Sequence, residues 1–227
     1  MNKIKFKKKC YIIDLDGTLI LKNSFHLWLK YLFLKNNIYK SVNKNIAMKF
    51  HLILFCFLRI LKLINHSNFK KLIQKKYSKY ADTSENEISK NFIEIIYKYI
   101  NSDLCSFIDL ENKNYNNCIY ILATAAPEEY AIEISKKINF DYCIATPNYN
   151  GHQWYYNIRF KKTENVEKLL KKINLNLNET ILFTDHIDDL SLIRKVKKTF
   201  AFYPLANNIK FMKNKYKINI IDFYNET

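Results

Sequence analysis

An apolar, β-branched run, Tyr11-Ile12-Ile13, breaks into Asp14-Leu15-Asp16-Gly17-Thr18, and this junction narrows the choice of fold more than any other stretch. Read as a buried parallel strand over 10–16, it delivers both carboxylates where the strand runs out into a loop. Carboxyl ends of strands are where open α/β sheets bind ligands. The alternation of an extended chain points Asp14 and Asp16 to one side, about 7 Å apart at Cα. One carboxylate of such a pair can attack or bind metal while the other handles protons. Gly17 lets the backbone turn close to a ligand. The plain alternative is an ordinary acidic turn after a strand.

Beyond this strand the chain divides by periodicity. From about 24 to 113 the pattern is helical and nearly free of Gly and Pro. Helices are expected near 24–35, 42–65, 67–80 and 84–101, the last opened by a capping box of Ser84 and Glu87. Further on, strands at 118–123, 141–145, 180–184 and 198–202 alternate with helices near 128–138, 163–173, 187–197 and 205–214. Such alternation builds a mainly parallel, Rossmann-like sheet, so the fold class is α/β. The expected domains are a core of residues 1–20 and 114–227 and an inserted helical cap of residues 21–113.

Residues 46–64 approach the length of a membrane span, but Lys49, Arg59 and Lys62 lie inside it. A basic residue near a helix centre costs about 2.5–3.5 kcal/mol on insertion, so a span is not expected. On a helical wheel Phe50, Ile53, Leu54, Phe57, Ile60, Leu61 and Ile64 cover one half, and the charges share the other with Leu52, Phe55 and Leu63. This is an amphipathic helix with an over-wide apolar face, expected to pack into the cap. Peripheral contact with a membrane, or with a second copy, is the alternative use of that face.

The formal charge of +16, from 37 basic and 21 acidic side chains, would suit nucleic acid, an acidic membrane surface or an anionic substrate. Abundant Lys, Asn, Ile and Tyr, beside two Gly and three Pro, give a blander cause in the coding bias of an AT-rich genome. With no Arg-rich block and no Gly-spaced aromatic platform, nucleic acid is not an expected partner. The cysteines Cys10, Cys56, Cys105, Cys118 and Cys143 form no Cys-x-x-Cys pair and read as reduced core residues. Asp14 and Asp16 interrupt any signal-peptide apolar segment, and a cytoplasmic location is expected. The oligomeric state is left open.

Two later strand ends carry polar groups. Thr124 closes Ile119–Thr124, and Pro127 follows at a position suited to a helix start, where free N–H groups can receive an anion. Ile181–Thr184 runs into Asp185, Asp188 and Asp189. Hard oxygens grouped in this way suit Mg²⁺, which accepts one or two protein carboxylates together with waters and a phosphate oxygen. His186 has no His or Cys partners at zinc spacing and reads as a loop residue.

In order along the chain, these pieces resemble the haloacid dehalogenase-like (HAD) superfamily of phosphohydrolases. The resemblance is to the branch with a helical cap after the first motif, which includes phosphoserine-phosphatase-like and phosphatidylglycerophosphatase-like enzymes. Asp14-Leu15-Asp16-Gly17-Thr18 resembles the first motif, Thr124 the second, and Asp185 with Asp189 the acidic fourth. The resemblance implies that Asp14 is a nucleophile forming an aspartyl-phosphate and that Asp16 protonates the leaving alcohol and then activates water. It implies that Thr124 binds a phosphoryl oxygen and that Mg²⁺ is held by Asp14, the main-chain carbonyl of Asp16, Asp185 and Asp189. The third motif, a lysine opening a helix, falls in Phe160–Leu169. Lys162 is favoured, with Val166, Leu169 and Leu170 following on a buried face; Lys161 is next, and a rival alignment places Asn165 there.

The expected activity is Mg²⁺-dependent hydrolysis of a small phosphomonoester, such as a polyol, amino-alcohol or sugar phosphate. Phosphoserine-specific relatives carry a Glu nine residues after the nucleophile, where this chain has Asn23, which counts against phosphoserine. A lipid phosphate at a membrane surface and a catalytically silent binding module are the alternatives.

Overall fold

The computed structural model describes residues 9–35, 39, 41–80, 85–115, 118–149, 154–202 and 220–221. Six strands form one parallel sheet: β1 (Lys9–Ile13), β2 (Cys118–Pro127), β3 (Tyr142–Thr146), β4 (Thr180–Thr184), β5 (Lys198–Ala201) and β6 (Ile220–Ile221). Their order is β3-β2-β1-β4-β5-β6. The chain builds outward from β1 on one side and then crosses to the other, so the carboxyl ends of β1, β2 and β4 surround the switch point where such sheets bind ligands.

The strands read as continuous apolar runs because both faces of the sheet are covered. Cys10, Ile12, Ile121, Ala123, Leu182 and Ala201 meet Val166 and Leu170 of α7 (Arg159–Lys172) and Leu192 of α8 (Leu190–Ile193). The alternate residues Tyr11, Ile13, Tyr120, Leu122, Phe183 and Phe200 join the opposite cluster, with Tyr130, Ala131 and Ile134 of α6 (Glu128–Lys137). Here Tyr11 stacks on Tyr120 at 5.3 Å and Phe183 on Phe200 at 4.9 Å.

Between β1 and β2 lie α1 (Ser24–Leu34), α2 (Val42–Ile60), α3 (His66–Tyr80), α4 (Glu85–Ile96) and α5 (Ser102–Asn114). Trp28 of α1 joins α3, α4 and α6, with ring centroids 5.3 Å from Tyr77, 4.8 Å from Phe92 and 5.5 Å from Tyr130 on α6. Helix α5 is not among the expected helices, and it behaves differently from them. Its Phe107 packs on Tyr11, Phe183 and Phe200, and its Glu111 bonds Tyr11 and Lys9 of β1. The two ends of the insert meet in a neck, where the Leu21 N–H donates to Tyr99 O (2.8 Å) and the Asn101 N–H to Leu19 O (2.9 Å). We propose on this ground that the cap ends near Ile100, with α5 in the core layer.

Helix α2 departs from expectation in its orientation. Its buried residues are Asn45, Met48, Leu52 and Phe55, so it packs by the half that shares the wheel with the charges. The opposite apolar half faces outward. No helix among the described residues is long and apolar enough to cross a membrane. Ser84 and the segment 205–214 lie outside the described residues. The expected helix over 84–101 is instead α4 followed by a short 3₁₀ turn at Tyr97–Tyr99.

Candidate active site

The loop after β1 is shaped by its own backbone. The Asp14 N–H donates to Phe183 O of β4 (2.9 Å), and Gly17 N–H to Ile20 O (2.7 Å), folding the acidic segment over the switch point. Gly17 adopts φ +73°, and a Cβ there would lie 1.9 Å from the Asp185 Oδ2. Both the left-handed backbone and the packing of Asp185 therefore require glycine. Gly17→Ala is expected to cost about 1–2 kcal/mol from backbone strain alone and to displace Asp185. Chemical denaturation measures the first effect and Mg²⁺ titration the second.

Asp14, Asp16, Thr124, Lys162, Asp185 and Asp189 line one cavity of about 410 Å³. Lys162, only 4% exposed, donates from Nζ to Asp14 Oδ1 (2.9 Å) and lies 2.8 Å from Asp189 Oδ1. Asp189 Oδ2 also accepts from Thr184 Oγ1 (2.7 Å), so this carboxylate is engaged in holding the lysine. Burial alone would lower the Lys162 ammonium; Asp14 and Asp189 outweigh it and hold its pKa above the ordinary value. Asp16 Oδ1 accepts the Ser24 N–H (2.7 Å), so the first residue of α1 positions the second acid.

Of the rival third-motif positions, only Lys162 bonds Asp14. Lys161 pairs with Glu164 (3.0 Å). Asn165 Nδ2 donates to Asn157 Oδ1 (2.9 Å), and Asn157 Nδ2 in turn donates to Thr124 O (2.8 Å), so Asn165 braces the end of β2. Thr124 Oγ1 accepts the Ala126 N–H (3.0 Å), and Pro127 is the N-cap of α6. Asn23 caps α1 by accepting the His26 N–H (2.9 Å). His186, in the loop after β4, accepts the Asp188 N–H at Nδ1 (3.1 Å), and Asp188 pairs with Arg159 (2.8 Å).

One site residue is absent from the sequence reading. Lys70 of α3 is 4% exposed and lines the same cavity. Its ammonium donates to Ala125 O (3.2 Å) and sits 4.8 Å from the ring centres of both Phe25 and Tyr156. Burial lowers its pKa to about 8, against the pull of Asp16 and Asp14. The available signal was a Lys and a Gln, Lys70 and Gln74, on the buried stripe that also carries Phe69, Ile73 and Tyr77.

The charge balance bears on metal binding. Burial, with Asp189 and Asp16 nearby and Lys162 opposing, pushes Asp14 up to about 7. Burial and the charge of Asp14 push Asp185 up to about 8. Asp185 has no ion-pair partner among the described residues. No ready-made cluster of three His, Cys, Asp or Glu ligands occurs among them. Two carboxylates short of positive charge, beside a main-chain loop, nonetheless fit Mg²⁺, which keeps several waters and needs only one or two protein carboxylates. Raised carboxyl pKa values contribute stability below the ordinary value that is lost as pH rises through about 7 and about 8. The rise in Tm on adding Mg²⁺ is therefore expected to be large well above pH about 8 and small well below pH about 7, because both carboxyls must ionise to bind.

A doubly wound parallel sheet with an inserted helical cap, and with acidic groups and a buried lysine at its switch point, defines a class of capped α/β hydrolases. The chain belongs to the haloacid dehalogenase-like hydrolase family, whose model matches residues 12–194. A protein of unknown function from Bordetella pertussis Tohama I superposes with TM-score 0.75 at 14% identity, over 95% of this chain and 99% of that one. A HAD family hydrolase from Salmonella enterica serovar Typhi gives 0.62 at 9%, over 97% and 69%. A substrate-bound phosphoserine phosphatase gives 0.54 at 18%, over 95% and 93%. At these identities the likeness speaks for the fold. No curated protein sequence matches the chain.

Proposed function

We propose that the protein is a Mg²⁺-dependent phosphatase that hydrolyses a small phosphomonoester through an aspartyl-phosphate on Asp14. The observation that carries this reading is the Lys162 bridge, which aims a buried ammonium at Asp14 while Asp189 holds it from behind. An Asp14 oxygen attacks phosphorus as the ester P–O bond breaks, and the departing alcohol oxygen takes a proton from Asp16. Water then gives a proton to Asp16 and attacks the same phosphorus, releasing inorganic phosphate and free Asp14. Thr124 and Lys162 bind phosphoryl oxygens, and Lys162 offsets the repulsion between carboxylate and phosphate. Mg²⁺, held by Asp14, Asp185 and the Asp16 carbonyl, would supply the remaining neutralising charge. Asp189 is better assigned to the lysine than to the metal.

Lys70 extends the site from the cap. Its desolvated ammonium is placed to meet a substrate oxygen, and a hydrogen bond to a charged group contributes about 1.5–3 kcal/mol. Lys70→Gln is expected to lower kcat/KM by roughly ten- to a hundredfold, mainly through KM, with steady-state kinetics as the check. Asn23 engages its side-chain oxygen in the α1 cap and offers no carboxylate to a substrate ammonium, which favours substrates other than phosphoserine. A lipid phosphate is the second reading, favoured by the outward apolar face of α2.

Phosphate release from a panel of polyol, amino-alcohol, sugar and lipid phosphomonoesters, in Mg²⁺ and in EDTA, tests the proposal. Mg²⁺-dependent release is the expected result. No release from any of them would favour a silent binding module.

A further inference from the structure

Helix α2 packs inward through Met48, Leu52 and Phe55, yet its other side is equally apolar. Ile46, Phe50, Ile53, Phe57, Ile60 and Leu61 form an outward stripe in which Phe50 is 63% exposed and Ile60 76%. Contiguous apolar surface of this kind marks an interaction site. Charge indicates the partner. Residues 17–81, which include α1, α2 and α3, hold thirteen basic side chains and no acidic one, while the remaining 24 basic residues of the chain face 21 acidic ones. The positive charge is therefore concentrated in the part of the cap that bears the stripe. Two copies joined through this face would bring like charges together, which opposes pairing. An anionic surface reverses that sign, and apolar burial and basic attraction then act together.

We propose that the outward face of α2 docks the protein peripherally on an anionic phospholipid bilayer. The stripe enters the headgroup boundary without spanning; no helix among the described residues is long and apolar enough to cross a membrane. The exposed basic side chains next to the stripe in the chain, Arg59 and Lys62, meet the anionic headgroups. The proposal does not depend on the phosphatase reading, because docking is measured without turnover.

The test is flotation of the full chain with vesicles of phosphatidylcholine alone and of phosphatidylcholine with phosphatidylglycerol, at low and high salt. The variant is the triple Phe50→Ser, Ile53→Ser, Phe57→Ser, whose positions are exposed, with thermal unfolding as the control for folding. Wild type is expected to float with the phosphatidylglycerol vesicles, less so in high salt. The triple variant should partition at least about a hundredfold more weakly. Equal flotation of variant and wild type would overturn the proposal, as would no flotation with anionic vesicles. A dimer in sedimentation that the triple variant abolishes, without vesicle binding, would assign the face to a second copy and also overturn it.

Discussion

Asp14→Asn is expected to retain the fold and lose turnover, with kcat falling by roughly 10⁴- to 10⁶-fold, the scale seen when a nucleophile is removed. The substitution is nearly isosteric and leaves Lys162 paired with Asp189, so no buried cation is stranded. Its effect on stability has a definite sign. Burial, with Asp189 and Asp16 and against Lys162, raises the Asp14 carboxyl to about 7, so the wild type loses stability at this position as pH climbs from the ordinary carboxyl range through about 7. Asparagine does not titrate. In EDTA the Tm of the variant is therefore expected to gain on wild type with rising pH, while in Mg²⁺ the wild type recovers. Scanning calorimetry across that pH window, paired with steady-state kinetics, reads both effects.

Lys162→Met should do more damage to the fold than Asp14→Asn. Methionine keeps much of the length but removes the cation between two buried carboxylates, Asp14 and Asp189. Breaking a buried pair from one side costs about 3–5 kcal/mol, because the orphaned charge stays in a low-dielectric site. We expect a loss of that size in denaturant unfolding, and at least about a thousandfold fall in kcat/KM from lost charge stabilisation in the transition state. Adding Asp189→Asn to Lys162→Met should recover part of the stability and none of the activity. That split separates the lysine's structural role from its part in turnover, since a purely structural lysine would let both return together.

The sheet was legible because its strands are apolar on both faces, and a run such as Ile181–Phe183 admits little else than a buried strand. The positions of Asp14, Asp16, Thr124 and Asp185 followed from the strand ends, for at a switch point sequence order converts into spatial convergence. Helix α5 escaped because few of its positions are apolar: Leu104 and Ile108 are its buried residues, with Cys105 and Phe107 packed partly buried beside them. The orientation of α2 was not legible at all. Both halves of its wheel carry large apolar groups, so periodicity identifies a helix without saying which half meets the body. Lys70 was missed for a related reason, since a lysine in a Lys-rich chain reads as surface until its neighbours on the helix face are counted. Which of Lys161, Lys162 and Asn165 bonds Asp14 was not legible, because one helical turn separates a group that reaches Asp14 from one that braces Asn157.

In the proposed mechanism Asp14 itself carries the phosphoryl group. The most direct measurement is acid-quenched turnover with a reactive phosphomonoester, followed by intact-mass and peptide-level mass spectrometry. A phosphoryl adduct on the peptide containing Asp14, formed within one turnover and missing from Asp14→Asn, is the expected outcome. Rapid phosphate release with no adduct at Asp14, or with the adduct on another residue, would contradict it.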